Sequence, residues 1–184
     1  MSIYHHIATL GPSGKSKFAP GTVGSFVAII LAFNIMHLPA GWLVLWVLTA
    51  LSIWLGTVSA NRYMRDKDST HDPKEIVIDE LAGMWLALVV WHVWIIAMTM
   101  SWEGAQETIS LRGWDVQFLA LGFILFRFFD IVKPWPISWA DRKVKGGWGV
   151  ILDDLIAGVF AGTLLYALYL FWPLITGDMP ESGV

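Results

Sequence analysis

Long apolar runs separated by short polar segments dominate this chain of 184 residues. A helix needs roughly 20 mainly apolar residues to cross the hydrocarbon core of a bilayer. Five runs approach or reach that length: Val23–His37, Trp42–Ala60, Leu81–Met100, Phe118–Val132 and Leu155–Ile175. Their apolar residues are continuous rather than alternating, so they predict helices instead of barrel strands. The pattern predicts an all-α fold, a polytopic membrane helical bundle of about five membrane-embedded helices, with residues 1–184 as a single domain.

Composition agrees with a membrane protein and removes several functional classes. A hydrophobic fraction of 56% and a mean hydropathy of +0.60 are too high for a soluble domain of this size. The chain has no cysteine, which excludes disulfides, thiolate metal sites and a cysteine nucleophile. Its net charge of −3 argues against nucleic acid as a partner. Because the N-terminus lacks the continuous apolar region of a secretory signal, we expect the first insertion signal to be a retained helix.

The basic residues predict the orientation of the bundle. Eleven of the twelve Lys and Arg residues fall on alternate polar segments, and Arg112 is the exception. Because positively charged loops stay in the cytoplasm, the N-terminus is predicted to be cytoplasmic and the C-terminus to lie outside. The three basic segments carry Ala19–Ser25, His71–Gly83 and most of Phe126–Val159. Any site is therefore expected at the cytoplasmic interface.

Pairs of adjacent acids stand at the predicted starts of two helices, Asp79-Glu80 and Asp153-Asp154. One acid at a helix start is explained by capping and by the helix dipole. Adjacent residues on a helix diverge by about 100°, so both acids of a pair cannot cap. In a membrane the surplus acid suggests metal or proton chemistry. Gly83 and Gly158 lie about one turn further on and favour close helix packing, with or without a site.

A second cluster follows the fourth run, where Arg127, Asp130 and Lys133 are spaced three residues apart. An internal salt bridge with snorkelling cations is one explanation, but Arg127 lies within apolar sequence, where an idle charge is costly. The glycine-rich segment Lys145–Gly149 then leads into the fifth run. Glycine amides before a helix start favour a bound phosphate, although such loops are common.

Together these groups predict a metal-assisted phosphate site. Carboxylate oxygens suit Mg²⁺, and cations with glycine amides suit a phosphoryl group. Two other motifs are excluded by their context. GPSGKS at 11–16 lacks the first glycine of a P-loop. DKDST at 66–70 resembles the DxDxT motif of aspartate-nucleophile phosphatases but follows no buried strand. The five His residues are scattered without zinc-ligand spacing.

Three sequence blocks resemble one family in their order and spacing. The blocks are APGTVGS, VIDELAGMW and FRFFDIVKPWPISWADRKVKGGWGVILDDLIAGVFAG. They are similar to the phosphatidylglycerophosphatase A family, and Ser101–Arg112 matches none of its motifs. The resemblance implies a Mg²⁺-dependent lipid phosphatase of the bacterial inner membrane. Its partner is the lipid substrate phosphatidylglycerophosphate, which it converts to phosphatidylglycerol and inorganic phosphate; the oligomeric state stays open.

The resemblance also implies which residues act. The acidic motifs, expected to be catalytic and to bind metal, fall on Asp79, Glu80, Asp130, Asp153 and Asp154. The residues expected at the substrate phosphate are Lys133, Lys145, Arg127, Arg142, Thr22, Ser25, Gly21 and Gly24. Five carboxylates exceed the needs of one Mg²⁺, which leaves open a second ion or a carboxylate acting as base.

Functions of other classes fit the residues less well. A small membrane transporter would need charges along a route through the bilayer, whereas these acids gather at one interface. Another phospholipid headgroup enzyme, of the CDP-alcohol type, would carry a DGxxAR run that this chain lacks. A non-catalytic assembly protein would leave the clustered charge unexplained.

Overall fold

The computed structural model describes residues 3–16, 19–66, 73–99 and 116–176, and regular structure in these ranges is entirely helical. The α-helices are α1 Ile3–Ala8, α2 Pro20–Met36, α3 Gly41–Asp66, α4 Ile78–Thr99, α5 Val116–Val132, α6 Ile137–Lys143 and α7 Gly146–Thr176. A short 3₁₀ turn, Ser13–Lys15, precedes α2. Three positions discussed above, Met100, the segment Ser101–Arg112 and His71, lie outside the described residues.

The prediction of an all-helical membrane bundle is confirmed. The five apolar runs correspond to α2, α3, α4, α5 and α7, in the predicted order. Among the described residues, three helices are long and apolar enough to cross a membrane: Gly41–Asp66, Ile78–Thr99 and Gly146–Trp172 within α7. The first and fourth runs form helices of 17 residues each, at the short end of what a bilayer requires.

One predicted helix start is wrong. The last helix begins at Gly146 and not at Asp153-Asp154, so these acids lie about two turns inside α7. Asn61 of α3 explains the early start, because its Oδ1 accepts the free Gly147 N–H at 2.6 Å and satisfies one of the unpaired amides of the first turn. Capping therefore does not account for Asp153-Asp154, whereas Asp79-Glu80 does occupy the first turn of α4.

The centre of the bundle is the contact between α4 and α7, the most extensive between any two of the described helices. Glycines make it possible: a Cβ on Gly83 would lie 2.7 Å from the backbone oxygen of Asp154, and one on Gly158 would collide with the backbone oxygen of Gly83. The expected glycine packing is confirmed, and it brings the acidic segments of α4 and α7 side by side.

One end of the bundle collects the polar segments. There α2, α4 and α7 begin, and α3 and α5 end. Lys133 ends α5 in a left-handed conformation, with φ of 44°, and Pro134 follows it. The short helix α6 then packs against α7 at the same end. Residues distant in sequence thereby face one another across a small volume.

Candidate functional site

A pocket of about 290 Å³ lies at this end of the bundle. It is bounded by the start of α2, the segment before α4, the first turn of α4, the end of α5 and α7. The lining residues are Ala19, Pro20, Gly21, Lys74, Ile76, Asp79, Glu80, Arg127, Asp130, Lys133, Asp153 and Asp154. All five carboxylates singled out in the sequence line this one pocket, together with three cations.

Three of the carboxylates converge on a common point. Asp79, Glu80 and Asp154 each offer an oxygen, and these oxygens lie within 4.8 Å of one another. Asp79 and Asp154 are buried, with exposed fractions of 6% and 3%. Within the described part of the chain, Glu80 Oε2 and Asp154 Oδ2 have no hydrogen-bond partner. Buried carboxylates this close repel each other and lose their hydration, so the cluster favours a bound cation.

The other two carboxylates are already paired with cations. Asp130 Oδ2 lies 2.6 Å from Nη1 of Arg127, one turn away on α5. Asp153 Oδ2 lies 2.5 Å from Nζ of Lys133. The structure thus divides the five acids into a converging triad and two ion-paired residues, a division that sequence spacing did not predict.

Lys133 stays charged because two carboxylates hold it. Its Nζ donates to Asp153 and also to Asp141 Oδ1 at 2.6 Å. Burial lowers the pKa of Lys133, but the hydrogen bonds to Asp141 and Asp153 outweigh burial and raise that pKa above its ordinary value. The lysine therefore presents a fixed positive charge to the pocket at physiological pH.

The start of α2 forms another part of the pocket wall. A Cβ on Gly21 would collide with Oε1 of Glu80, so glycine at this position lets α2 approach α4 closely. Ser25 Oγ donates to the backbone oxygen of Gly21 at 2.9 Å and accepts from Arg127 Nη1 at 3.4 Å. Gly24 packs against Val77 instead of lining the pocket.

Five of the eight residues expected at the phosphate lie outside the lining: Gly24 and Ser25, described above, and Thr22, Arg142 and Lys145. Thr22 is half-buried on α2, whereas Arg142 and Lys145 are exposed. Arg142 Nε donates to the backbone oxygen of Ser138 within α6. The phosphate site expected at the glycine-rich segment Lys145–Gly149 is not formed either, because the Gly147 amide is hydrogen-bonded to Asn61 of α3. This loop builds the start of α7 and does not line the pocket.

Sequence reasoning missed two groups in this region. Lys74 lines the pocket ahead of α4, and its signal was present: a cation in the same basic segment as Asp79-Glu80. Asp141 orients Lys133, but its partner is eight residues away across a turn with a cis Trp135–Pro136 bond, and no periodicity indicates such a pair.

The residues present fit Mg²⁺. That ion prefers oxygen ligands and keeps several waters, and the triad supplies carboxylate oxygens beside a pocket with room for water and phosphate. Glu80 Oε2 and Asp154 Oδ2, buried without partners among the described residues, are suitable ligands. Arg127, Lys133 and Lys74 add the positive charge that a phosphoryl group requires.

Comparison with known proteins gives consistent matches. The family model described as Phosphatidylglycerophosphatase A matches residues 6–169. A protein of Escherichia coli (strain K12) named phosphatidylglycerophosphatase A is 35% identical over 171 residues, covering 93% of this chain and 86% of the relative. A protein of the same name from Haemophilus influenzae is 32% identical over 170 residues, covering 92% and 90%.

A third relative carries a different name. The Bacteroides thetaiotaomicron protein called putative phosphatidylinositol-3-phosphatase is 32% identical over 162 residues, covering 83% of this chain and 85% of its own. No solved structure matches this chain. All three relatives are named for removing phosphate from a lipid headgroup, which accords with a carboxylate and cation pocket at one end of an apolar bundle.

Proposed function

Because the chain belongs to the phosphatidylglycerophosphatase A family, we propose that it hydrolyses phosphatidylglycerophosphate to phosphatidylglycerol and inorganic phosphate. Family membership makes it a phosphatase of bacterial membrane lipids. The observation that carries the proposal is the convergence of Asp79, Glu80 and Asp154 beside the paired cations Arg127 and Lys133. A phosphate monoester attached to a lipid fits that combination of charge and apolar surroundings.

The proposal includes Mg²⁺ held by Asp79, Glu80 and Asp154. Bound there, Mg²⁺ would polarise a phosphoryl oxygen and lower the pKa of a coordinated water. Asp130 and Asp153, expected from the sequence as further ligands, act instead by orienting Arg127 and Lys133. This assignment follows from their ion pairs of 2.6 and 2.5 Å, which already occupy one oxygen of each.

The cations bind the phosphate in this mechanism. Arg127 is fixed by Asp130 and Ser25, and Lys133 by Asp141 and Asp153, so both charges stand ready before substrate arrives. Preorganised charges of this kind stabilise negative charge on the transferring phosphoryl group without rearranging during the reaction. Lys74, exposed at the edge of the pocket, contributes a third cation.

The reaction itself needs a proton acceptor and a water. A water oxygen attacks phosphorus while the bond from phosphorus to the glycerol oxygen breaks, and the leaving oxygen takes up a proton. A pocket carboxylate oxygen that does not bind the ion accepts the proton of the attacking water and passes it to the leaving oxygen, so the step balances. No residue in the pocket requires a covalent phosphoenzyme.

We place the pocket on the cytoplasmic side of the bacterial inner membrane. Support comes from the basic segments, which are concentrated at the end of the bundle that holds the pocket. A headgroup entering from that side would meet the cations first, while its acyl chains remain among the helices.

Phosphate release by the purified protein in detergent tests the proposal. Phosphatidylglycerophosphate with Mg²⁺ should yield inorganic phosphate; EDTA should abolish release, and excess Mg²⁺ should restore it. Release that is insensitive to chelation would overturn the metal assignment. Release from phosphatidylinositol 3-phosphate alone would contradict the proposed substrate and would favour the activity for which the Bacteroides relative is named.

A further inference from the structure

A second cavity, of about 550 Å³, lies between α2 and α5. It is a groove whose lining is wholly apolar, and we call it the α2–α5 groove. The lining residues are Phe26, Ile29, Ile30, Phe33, Val116, Leu119, Ala120, Phe123 and Ile124. Its volume falls within the roughly 300–1,000 Å³ of ligand sites, yet the mechanism proposed above does not use it.

The groove continues from the polar pocket along the same two helices. On α5, Ile124 lines the groove, and Arg127, one turn later, lines the pocket. On α2, Gly21 lines the pocket and Phe26 the groove. The hydrogen bond from Arg127 to Ser25 joins α5 to α2 between the residues that line the pocket and those that line the groove. An amphipathic molecule with one charged end therefore matches the order of these surfaces.

We propose that the α2–α5 groove holds one acyl chain of the lipid substrate while the phosphate of that lipid occupies the polar pocket. This inference rests on the proposed function. The groove extends from Ile124 to Val116, about 12 Å at the rise of an α-helix, which is most of the roughly 15 Å of one leaflet. A single chain lying along it would keep the phosphate ester at the level of Arg127.

The groove acts by positioning the substrate rather than by attracting it. Bilayer lipids are as apolar as the groove, so transferring a chain into it gains little hydrophobic free energy. What it gains is orientation: one chain held along α2 and α5 limits where the headgroup can lie, and correct placement of a reacting group accelerates its reaction. The groove should therefore matter for long-chain substrates and be irrelevant to short ones.

Filling the groove tests this role. Ala120 is exposed within the lining, so Ala120→Trp adds an indole there without displacing core side chains. Ala50→Trp is the matched control, because Ala50 is also an exposed alanine, on α3, and lines neither cavity. We expect Ala120→Trp to lower, by at least ~10-fold, the ratio of kcat/KM for a long-chain substrate to kcat/KM for its dihexanoyl analogue. Ala50→Trp should leave that ratio unchanged.

Direct contact gives a second readout. A phosphatidylglycerophosphate analogue with a photoreactive diazirine on one acyl chain should crosslink to α2 and α5, as mapped by mass spectrometry, and Ala120→Trp should remove these crosslinks. A ratio unchanged by Ala120→Trp, or equal losses on both substrates, would overturn the proposal. So would conversion of a dimer to a monomer by Ala120→Trp, which would make the groove a contact between copies.

These outcomes distinguish a failure of the groove assignment from a failure of the proposed function. A wild-type protein that hydrolyses neither the long-chain nor the dihexanoyl substrate would remove the proposed function. A wild-type protein active on both, with an insensitive Ala120→Trp variant, would remove the groove assignment alone.

Discussion

At the scale of single residues, the pocket holds two kinds of carboxylate. Asp130 and Asp153 each have a cation within 2.6 Å, whereas Glu80 and Asp154 retain a buried oxygen without a partner among the described residues. A buried unpaired carboxylate is costly for folding. Such a cost is expected where a bound ion or substrate completes the site.

Removing one charge from either kind of carboxylate should disable catalysis. We expect Asp154→Asn and Asp130→Asn each to lower turnover by at least ~100-fold, the lower end for losing an electrostatic catalytic group. Asp66→Asn serves as the control, because Asp66 is exposed beside His5 and does not line the pocket. Phosphate release from phosphatidylglycerophosphate is the measurement. A near-normal rate for either pocket variant would remove that residue from the site.

Lys74 should affect substrate binding more than the chemical step. Lys74→Gln removes a cation from the pocket lining, and losing one charge-assisted contact of about 1.5 kcal/mol raises KM about 10-fold. Lys143→Gln is the matched control, since Lys143 is exposed on α6 away from the lining. Steady-state kinetics on both variants measure the effect. Equal KM values for the two variants would contradict a role for Lys74 at the phosphate.

At the scale of helices, the site depends on how closely α4 and α7 approach. Gly83 and Gly158 allow backbone contact between them, and that contact places Asp154 beside Asp79. The acids are therefore assembled by glycines about one turn away. On both helices, the glycine that allows close packing and the acids of the pocket lie in the same segment.

A methyl group at Gly158 should separate these helices. Its Cβ would meet the backbone oxygen of Gly83, which cannot move aside, so Gly158→Ala should destabilise the protein by about 1–3 kcal/mol. Gly122→Ala is the control, because its Cβ would lie 3.3 Å from the flexible end of Leu165. Thermal unfolding in detergent measures both. Identical unfolding midpoints would show that the α4–α7 contact tolerates the extra atom.

At the scale of the whole molecule, α2, α3, α4, α5 and α7 alternate in direction, because α2, α4 and α7 begin at the pocket end and α3 and α5 end there. The pocket end carries the basic segments, and α1 and α6 lie there too. Five crossings would place the chain termini on different sides of the membrane.

Reporter fusions should detect this asymmetry. A reporter fused after Val184 should read as periplasmic, and one fused ahead of Met1 as cytoplasmic, because basic loops are retained in the cytoplasm. Alkaline phosphatase and a fluorescent protein that folds only in the cytoplasm measure the two locations. A cytoplasmic signal after Val184 would contradict five crossings, and α2 and α5, of 17 residues each, would be the helices to reconsider.

The sequence alone determined the fold class, the order of the long helices and the five carboxylates that line the pocket. These are properties of contiguous sequence: a continuous apolar run of sufficient length forms a helix in lipid, because a helix satisfies the backbone hydrogen bonds of the run within itself. Acids and cations in such a chain are costly, so their positions predict a site. The sequence did not predict the start of α7, because a side chain of another helix, Asn61 of α3, accepts a hydrogen bond from its first turn.

Only the tertiary structure decided which of these groups lie together. Asp79 and Asp154 lie far apart in the chain, and their proximity depends on the packing of α4 against α7, which no spacing rule contains. The same packing separated the triad from Asp130 and Asp153, left Arg142 and Lys145 outside the pocket, and opened the α2–α5 groove beside it. Local sequence determines each helix, whereas distances between helices follow from the side chains that meet there.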